Sequence, residues 1–332
     1  MKTQKSILAI LITTSLFIAS CSNDDEPTAP ITPTPPTAAA FKNLKAAANE
    51  LITTKKTFNA ENGVSFKSPK GVMITLPPNS LLLPSGLPAE GEVVLEYKEI
   101  FNRGAMLTNN RPTMGRDADG NKALLISGGE FFLEAKQGSE MLNLNGSVNL
   151  LIPTKLTVQD DGGMLLWEGT IDENDNLTWD EVKADAGTNG GRVGVEGKGD
   201  GQQFVVSFTS FGWTNVDRFY SDPRPKTTLQ VAVPTGYDNK NAAVYLSYDG
   251  EGDNALAGLD TYDSVTKRFS EHYGQIPVGL QMHVIFVTEE AGQWRYGIKG
   301  VTVAANDVYA FTLAETTLGS LTVVEAAINA LP

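Results

Sequence analysis

Gly91-Glu92-Val93-Val94-Leu95-Glu96-Tyr97-Lys98 is the stretch that sets the fold class. In an extended chain Val93, Leu95 and Tyr97 fall on one side, with Glu96 and Lys98 on the other. That period of two is what a half-buried strand of an antiparallel sheet needs. The alternation recurs in Glu130–Lys136, Ser147–Ile152, Gln203–Thr209, Leu229–Val233, Ala243–Tyr248, Gln281–Val287 and Val308–Leu313. Between these runs stand Asp119-Gly120, Asn145-Gly146, Asp249-Gly250 and Ala291-Gly292, at points where a tight reversal calls for positive φ. Many short strands, frequent turns and few helices predict an all-β chain.

Two segments depart from the alternation. Phe41, Leu44, Ala48 and Leu51 recur at helical spacing, which predicts a short amphipathic helix over about 40–53. Near the end, Leu321, Val324, Ile328 and Leu331 line one helical face behind Ser320, an N-cap residue type. A division falls near residue 220. Gly187 to Gly201 holds seven glycines in fifteen residues and predicts a loop between strands. Phe211 to Tyr220 is a dense aromatic and polar run, expected to pack one sandwich against the next at a hinge, and Pro223 and Pro225 then interrupt any ladder. The expectation is an all-β fold of two consecutive antiparallel β-sandwich domains, 41–220 and 225–332, the second Ig-like, with a short C-terminal helix. No internal repeat relates the halves.

The 332 residues carry 26 Lys+Arg against 39 Asp+Glu, a formal charge of −13. Nucleic-acid binding is excluded as an expectation, because it requires a basic patch that releases counterions and the chain has no such cluster. With 32 Gly and 17 Pro the composition stays below the range that marks disorder. The length allows two domains, each with its own core.

Residues 1–20 run from Lys2 and Lys5 through an apolar stretch, Ile7 to Ile18, into Ala19 and Ser20. This is the pattern of a secretory signal peptide. The apolar run is too short to cross a bilayer as a helix, and no later stretch approaches the length required. Cys21 is the sole cysteine, so no intramolecular disulfide can form. Ile18-Ala19-Ser20-Cys21 resembles the lipobox of bacterial lipoproteins, an aliphatic residue, two small residues and cysteine, with Ile where Leu is commoner. The resemblance implies cleavage before Cys21 and acylation of its sulfur and new amino group, so Cys21 is the expected lipid-attachment residue and the lipid the sole membrane contact. Loss of residues 1–20 would remove two lysines and no acid, which leaves the remainder more acidic still.

Residues 21–40 form an expected tether. Ser22-Asn23-Asp24-Asp25-Glu26 is followed by Pro27, Pro30, Pro33, Pro35 and Pro36 among threonines, a composition that favours an extended, solvated chain. The acidic run just behind the cysteine resembles the surface-export signal of Bacteroidota-type lipoproteins. That resemblance implies display on the outer membrane, facing the cell exterior.

Within the first half, Gly71-Val72-Met73-Ile74-Thr75-Leu76-Pro77-Pro78-Asn79-Ser80, then Gly91 to Tyr97, then Ser127-Gly128-Gly129-Glu130-Phe131-Phe132-Leu133-Glu134-Ala135 follow in an order similar to the β-sandwich domain shared by ankyrins, netrin receptors and many bacterial surface lipoproteins. The resemblance implies that fold and a scaffold role, since fold alone does not fix function. Some eukaryotic relatives of this domain cut themselves at a His-Phe-Ser sequence. The matching stretch, Ser207-Phe208-Thr209-Ser210-Phe211, has no histidine, so self-cleavage is not expected.

Catalytic chemistry is hard to find. Of the two histidines, His283 falls in an alternating run and reads as a strand residue, while His272 reads as a loop residue with Glu271 beside it. No G-x-S-x-G elbow, H-E-x-x-H helix or C-x-x-C pair occurs. Gly197-Lys198 fails as a phosphate loop, because Arg192 stands where the first glycine belongs and Gly199 where Ser or Thr is required. No catalytic or cofactor-binding residue is assigned, and no enzyme is expected. Ca²⁺ is the one cofactor considered, with Asp117 and Asp119 in one acidic turn and Asp249, Glu251 and Asp253 in another as candidate ligands, and Asp172 to Asn176 as a third such turn. Asx residues also simply build hairpin turns, and this is the favoured reading. Trp167, Trp179, Trp213 and Trp294 are expected to fill cores rather than stack on sugars. These features together predict a binding, adhesion or scaffold module for an extracellular glycan or surface protein. The alternatives are a surface hydrolase acting on polysaccharide through a carboxylate pair, or an accessory subunit of an outer-membrane uptake complex.

Overall fold

The computed structural model describes residues 34–157, 163–183 and 192–332. Cys21, the apolar leader and the acidic run lie outside the described residues. Residues 35–332 form one compact unit.

The chain is mostly strand, as its alternation predicts. In the first half a large sheet runs in the order Thr54–Asn59, Glu92–Ile100, Lys122–Gln137, Gly212–Phe219, Leu165–Ile171, Leu177–Glu181, Met114–Arg116. A five-stranded sheet, Arg192–Glu196, Gln203–Phe208, Val148–Pro153, Met73–Leu76, Val64–Lys67, packs over it. Val93, Leu95 and Tyr97 point into the core between the sheets, where they meet Ile74, Leu150, Phe131 and Val206. The second half pairs a sheet of Thr261–Asp263, Arg268–Pro277, Lys226–Ala232 and Asp307–Ala310 with one of Ala257–Gly258, Ala242–Tyr248, Gln281–Glu290, Gln293–Thr302 and Thr317–Gly319. Their shared core includes Leu229, Val231, Val244, Leu246, Phe269 and Phe286. One departure from a purely antiparallel fold is that Asp307–Ala310 joins Lys226–Ala232 in parallel.

The long strand Lys122–Gln137 bends at Gly128-Gly129. Gly129 sits at φ +130°, and a Cβ there would strike the rings of Phe101 and Phe131 at 2.7 and 2.8 Å. Opposite the bend, Gly212–Phe219 carries an irregularity between Asn215 and Asp217. The first part of the bent strand pairs with Met114–Arg116, which also touches Leu177–Glu181, so five strands close into a ring. Bulges bend strands and increase their local twist, and here one allows the sheet to curl back on itself.

A third core joins the two halves. It holds the helix α1, Ala38–Leu51, through Phe41 and Ala48, the short helix α2, Arg103–Thr108, through Met106 and Leu107, and the C-terminal helix α3, Leu321–Asn329, through Val324 and Ile328. Trp167, Trp179 and Trp213 enter it from the first half, and Tyr245, Ile285 and Trp294 from the second. Phe41 meets Trp294 edge to face at 6.2 Å.

Several expectations change. Gly212–Phe219 is an internal strand of the large sheet and not a hinge, although its Trp213 and Phe219 do pack into the core between the halves. The glycine-rich stretch contains the strand Arg192–Glu196, paired to Gln203–Phe208. His272 lies on a strand and not in a loop. The tether stops short of residue 40: Thr37 caps α1 by accepting the Ala40 N–H, and the Pro36 carbonyl accepts a hydrogen bond from Asn241 Nδ2 at 3.1 Å. Leu51, expected on the buried face of α1, is 73% exposed. At the other end Ser320 caps α3 as expected.

Candidate functional site

A cleft opens where the halves meet. Helix α1 contributes Phe41 and Lys45, the segment after α2 contributes Asn110, Pro112 and Met114, and the Asp172–Asn176 turn contributes Asn174 and Asn176. The second half supplies Asn239, Ala243, Tyr245 and Asp260. The cavity is about 50 Å³ and is open to solvent on one side. Its floor is apolar, formed by Phe41, Met114, Leu177, Tyr245 and Phe269. Its rim is polar. An apolar floor edged by a few polar groups is the usual build of a small-ligand pocket.

The charges of the rim are all matched. Lys45 Nζ lies 2.8 Å from Asp175 Oδ2 and 5.0 Å from the Phe41 ring centroid. Lys122 Nζ lies 2.6 Å from Asp260 Oδ2, which also accepts from the Tyr273 hydroxyl at 3.0 Å. Tyr245 donates to Asn110 Oδ1 at 2.5 Å, and Asn110 Nδ2 in turn holds the Asp175 carbonyl at 2.6 Å. Burial pushes the Asp175 carboxyl up, but Lys45, Arg111 and the Asn110 amide together pull it below the ordinary carboxylate value. The side-chain amides of Asn174 and Asn239 are exposed and make no hydrogen bond among the described residues.

A second, more open groove of about 390 Å³ runs along the other flank of α1, lined by Lys42, Asn49, Glu50, Arg111 and Asp172. It shares Lys45 with the first.

The acids with raised proton affinity lie elsewhere. Glu130 and Asp217 are fully buried on the face of the large sheet that meets the second half. Asn215 Nδ2 donates to Asp217 Oδ2 at 2.6 Å and Asn215 Oδ1 accepts from Ser127 Oγ at 3.0 Å, whereas both Glu130 oxygens and Asp217 Oδ1 have no hydrogen-bond partner among the described residues. Burial drives both carboxyls well above their ordinary values; at Glu130 the Asp217 charge adds to this and Arg111 opposes it. Glu271 is 5% exposed and turned inward, away from His272, where it accepts the backbone N–H groups of Gly274 and Gln275 at 3.1 and 3.0 Å. Burial lifts its carboxyl to about 7 against the pull of those hydrogen bonds.

Of the candidate Ca²⁺ ligands, Asp117 is engaged in turn geometry and Asp249 with a histidine. Asp117 Oδ1 accepts the N–H groups of Asp119 and Asn121 at 2.9 and 2.8 Å, and the Asp119 side chain points to solvent. Asp249 Oδ1 lies 2.8 Å from His283 Nδ1. Glu251 is half-buried, and the Asp253 carbonyl accepts the Arg103 N–H. Asn254, next in the chain, donates to the Ser127 carbonyl at 2.9 Å, so this acidic turn docks the second half onto the first. Among the described residues no group of three His, Cys, Asp or Glu side chains is placed to share a metal ion. Ser210 Oγ donates to Glu168 Oε1 at 2.5 Å. All four tryptophans are buried, and the indole N–H groups of Trp167 and Trp179 are used on the carbonyls of Asp217 and Pro112.

Sequence reasoning reached one wall of the cleft, the Asp172–Asn176 turn, for its acids and not for its amides. The other walls come from segments far apart in the chain; the helical spacing that holds Phe41 and the alternation that holds Ala243 and Tyr245 predict their elements but not their meeting in a cleft.

No family model matches the chain, and no curated protein matches it. Among solved structures it is similar to a γ-CGTase from alkalophilic Bacillus clarkii, at 10% identity and a TM-score of 0.17, over 78% of this chain and 40% of that one. The chain thus spans well under two thirds of that protein, and a score so low carries neither fold nor function.

Proposed function

We propose that this chain is a lipid-anchored cell-surface protein of the outer membrane, held through Cys21, whose folded body is a binding module for an extracellular glycan or surface protein. The observation that carries the binding role is the cleft at the seam. Both halves and α1 build it together, its charged groups are satisfied internally, and its rim keeps amides that are free to bond a ligand. A rigid floor with unspent hydrogen-bonding groups at the edge suits recognition by preformed shape. Hydrolysis of a glycosidic bond needs two carboxyls across a cleft. Among the described residues Asp260 is the sole carboxylate in this lining, and it is bound to Lys122 and Tyr273.

The anchor is supported by the resemblance of Ile18 to Cys21 to a lipobox and by the apolar leader before it. Protease digestion of intact cells tests the placement, and Cys21→Ser tests the anchor. Surface display requires that the chain be cleaved on whole cells, and the anchor requires that the variant leave the membrane fraction. A pull-down from envelope and culture material with the full chain in mild detergent tests the binding role, which falls if nothing is retained above a denatured control.

A further inference from the structure

We propose that Glu130 and Asp217 form a proton-operated latch at the seam: while the pair holds its protons the 249–254 turn of the second half stays docked on the first, and their loss releases it. Such a latch is independent of what the cleft binds. Its parts meet where two strands are irregular, at the Gly128-Gly129 bend and at the register shift between Asn215 and Asp217. Glu130 lies opposite Asn215 and Ser127 opposite Asp217, and all four are fully buried. Ser127 Oγ donates to Asn215 Oδ1 at 3.0 Å, and Asn215 Nδ2 donates to Asp217 Oδ2 at 2.6 Å. The Ser127 backbone turns to the second half. Its N–H donates to the Asn254 carbonyl at 3.0 Å, and its carbonyl accepts from Asn254 Nδ2 at 2.9 Å. Asn254 is buried whereas Gly252 and Asp253 are exposed, so the foot of the turn stands beside the acids and its tip is in water.

Both Glu130 oxygens and Asp217 Oδ1 are buried without a hydrogen-bond partner among the described residues. A carboxylate so placed loses its hydration uncompensated and takes up a proton instead. The charges that face Glu130 are Asp217, which opposes its ionisation, and Arg111, which favours it. Arg111 is already shared: its guanidinium reaches Asp175 Oδ1 at 3.3 Å and the Asn110 carbonyl at 2.7 Å. The other neighbours are neutral. Ile100 flanks Glu130 on the next strand, Ser127 and Asn215 lie beside Asp217, and the Trp167 indole N–H is spent on the Asp217 carbonyl. In the 249–254 turn Asp249 is held by His283 at 2.8 Å, Glu251 is half-buried and Asp253 is exposed, while Arg103 of α2 is turned to the end of α3.

An ionised pair has to draw in water, and the turn is the neighbouring cover with a solvent side. Lifting Asn254 breaks its two hydrogen bonds to Ser127. The next contact along the seam, where the Leu256 N–H donates to Thr113 Oγ1 at 3.0 Å and the Thr113 N–H to the Leu256 carbonyl at 2.9 Å, stays in place. The closed form binds more protons than the open one, so rising pH favours release. Burial lifts both carboxyls well above their ordinary values, in keeping with that sign.

Hydrogen exchange of the full chain in mild detergent, corrected for the intrinsic effect of pH on exchange, tests this at the Ser127 N–H. In wild type at about pH 5 this amide should be as sensitive to urea as the core amide of Leu95, because both then exchange by global unfolding. At about pH 8 it should exchange by local opening, insensitive to urea, while Leu95 and Leu256 remain sensitive. Glu130→Gln with Asp217→Asn leaves the pair neutral at every pH. It should raise Ser127 protection at about pH 8 at least about tenfold over wild type, the change that one linked proton brings per pH unit. The wild-type urea series needs no variant and stands alone if the double substitution does not fold. The latch is refuted if Ser127 at about pH 8 keeps the urea sensitivity of Leu95, or if the neutral pair protects Ser127 no better than wild type. It is refuted equally if Ca²⁺ restores wild-type protection at that pH, since the pair would then be a cation site.

Discussion

Arg103 Nε donates to the Ile328 carbonyl across 2.9 Å, so a residue of the first half closes the last helix of the second. The same guanidinium reaches Ser247 Oγ at 2.8 Å and the backbone oxygens of Asn329, Leu331 and Pro332, and it is 1% exposed. Helix C-termini leave carbonyls without partners, and a planar fork of donors satisfies several at once. Arg103→Ala should therefore cost about 3 kcal/mol, because it orphans these oxygens inside the protein. Arg103→Lys should recover only part of the loss, since a point charge cannot span them. Urea unfolding of both variants measures this, and a loss below about 0.5 kcal/mol for Arg103→Ala would remove Arg103 from its role.

Stability should fall from pH 5 to pH 8. Glu271, Glu130 and Asp217 all have folded pKa values above their ordinary ones, so each favours the fold in its protonated form. For Glu271 the contribution is complete below the ordinary value of 4.5 and is lost as pH rises through about 7. The acids shifted the other way, such as Asp175, are ionised in both states over this range and do not oppose the trend. Glu271→Gln should flatten the dependence by roughly 2 kcal/mol and leave a residue from the other two acids. Melting temperatures across the range decide it; a curve that rises toward pH 8 contradicts the burial of these carboxyls.

These two relationships mark the limit of what the sequence makes legible. Strands that bury one face, such as Glu92–Ile100, print their period directly, and Val93, Leu95 and Tyr97 are the inward residues the pattern names. Lys122–Gln137 is different. From Leu124 to Phe131 it is buried on both faces, so its alternation fades where it bends, and the ring closure has no local signature. Helix α2 is six residues long, too short to show a period, and only Asn102 hints at it through a cap on the Ala105 N–H. Phe211 to Tyr220 was legible as aromatic packing between halves but not as an internal strand, because composition shows what a segment buries and not which strands flank it. The cleft fails to print for a related reason, since neutral amides drawn from distant segments form no motif.

Gly169 should tolerate no side chain. It lies on Leu165–Ile171 against the third core, and a Cβ there would meet Trp179 Cζ3 and Trp213 Cβ at 2.8 Å each and Leu177 Cδ1 at 2.9 Å. Overpacking among rings that cannot move apart costs about 1–3 kcal/mol, so Gly169→Ala should destabilise by that amount. Gly138 serves as the control. At φ +61° with nothing near its Cβ, Gly138→Ala meets only backbone strain, about 1 kcal/mol. Thermal unfolding of the pair separates the two causes; equal losses would mean that the third core has room at Gly169.

The contact of Lys45 with Asp175 ties α1 to the Asp172–Asn176 turn across 2.8 Å, and Arg111 reaches the same carboxylate at 3.3 Å. Because the Asp175 side chain is 39% exposed, water screens much of the attraction, and Asp175→Asn should cost no more than about 1 kcal/mol globally. The local effect should be larger than the global one. This turn carries Asn174 and Asn176 into the cleft, and a carboxylate that bridges helix and turn fixes the amides relative to the floor. Hydrogen exchange at Asp172 to Asn176 should therefore rise in Asp175→Asn while exchange in the central strands stays unchanged. The stabilisation belongs to the ionised form, so it is present at neutral pH and disappears as pH drops through the depressed pKa of Asp175. Wild-type exchange in the turn that matches the variant at neutral pH would show that the ion pair does not hold the cleft wall in place.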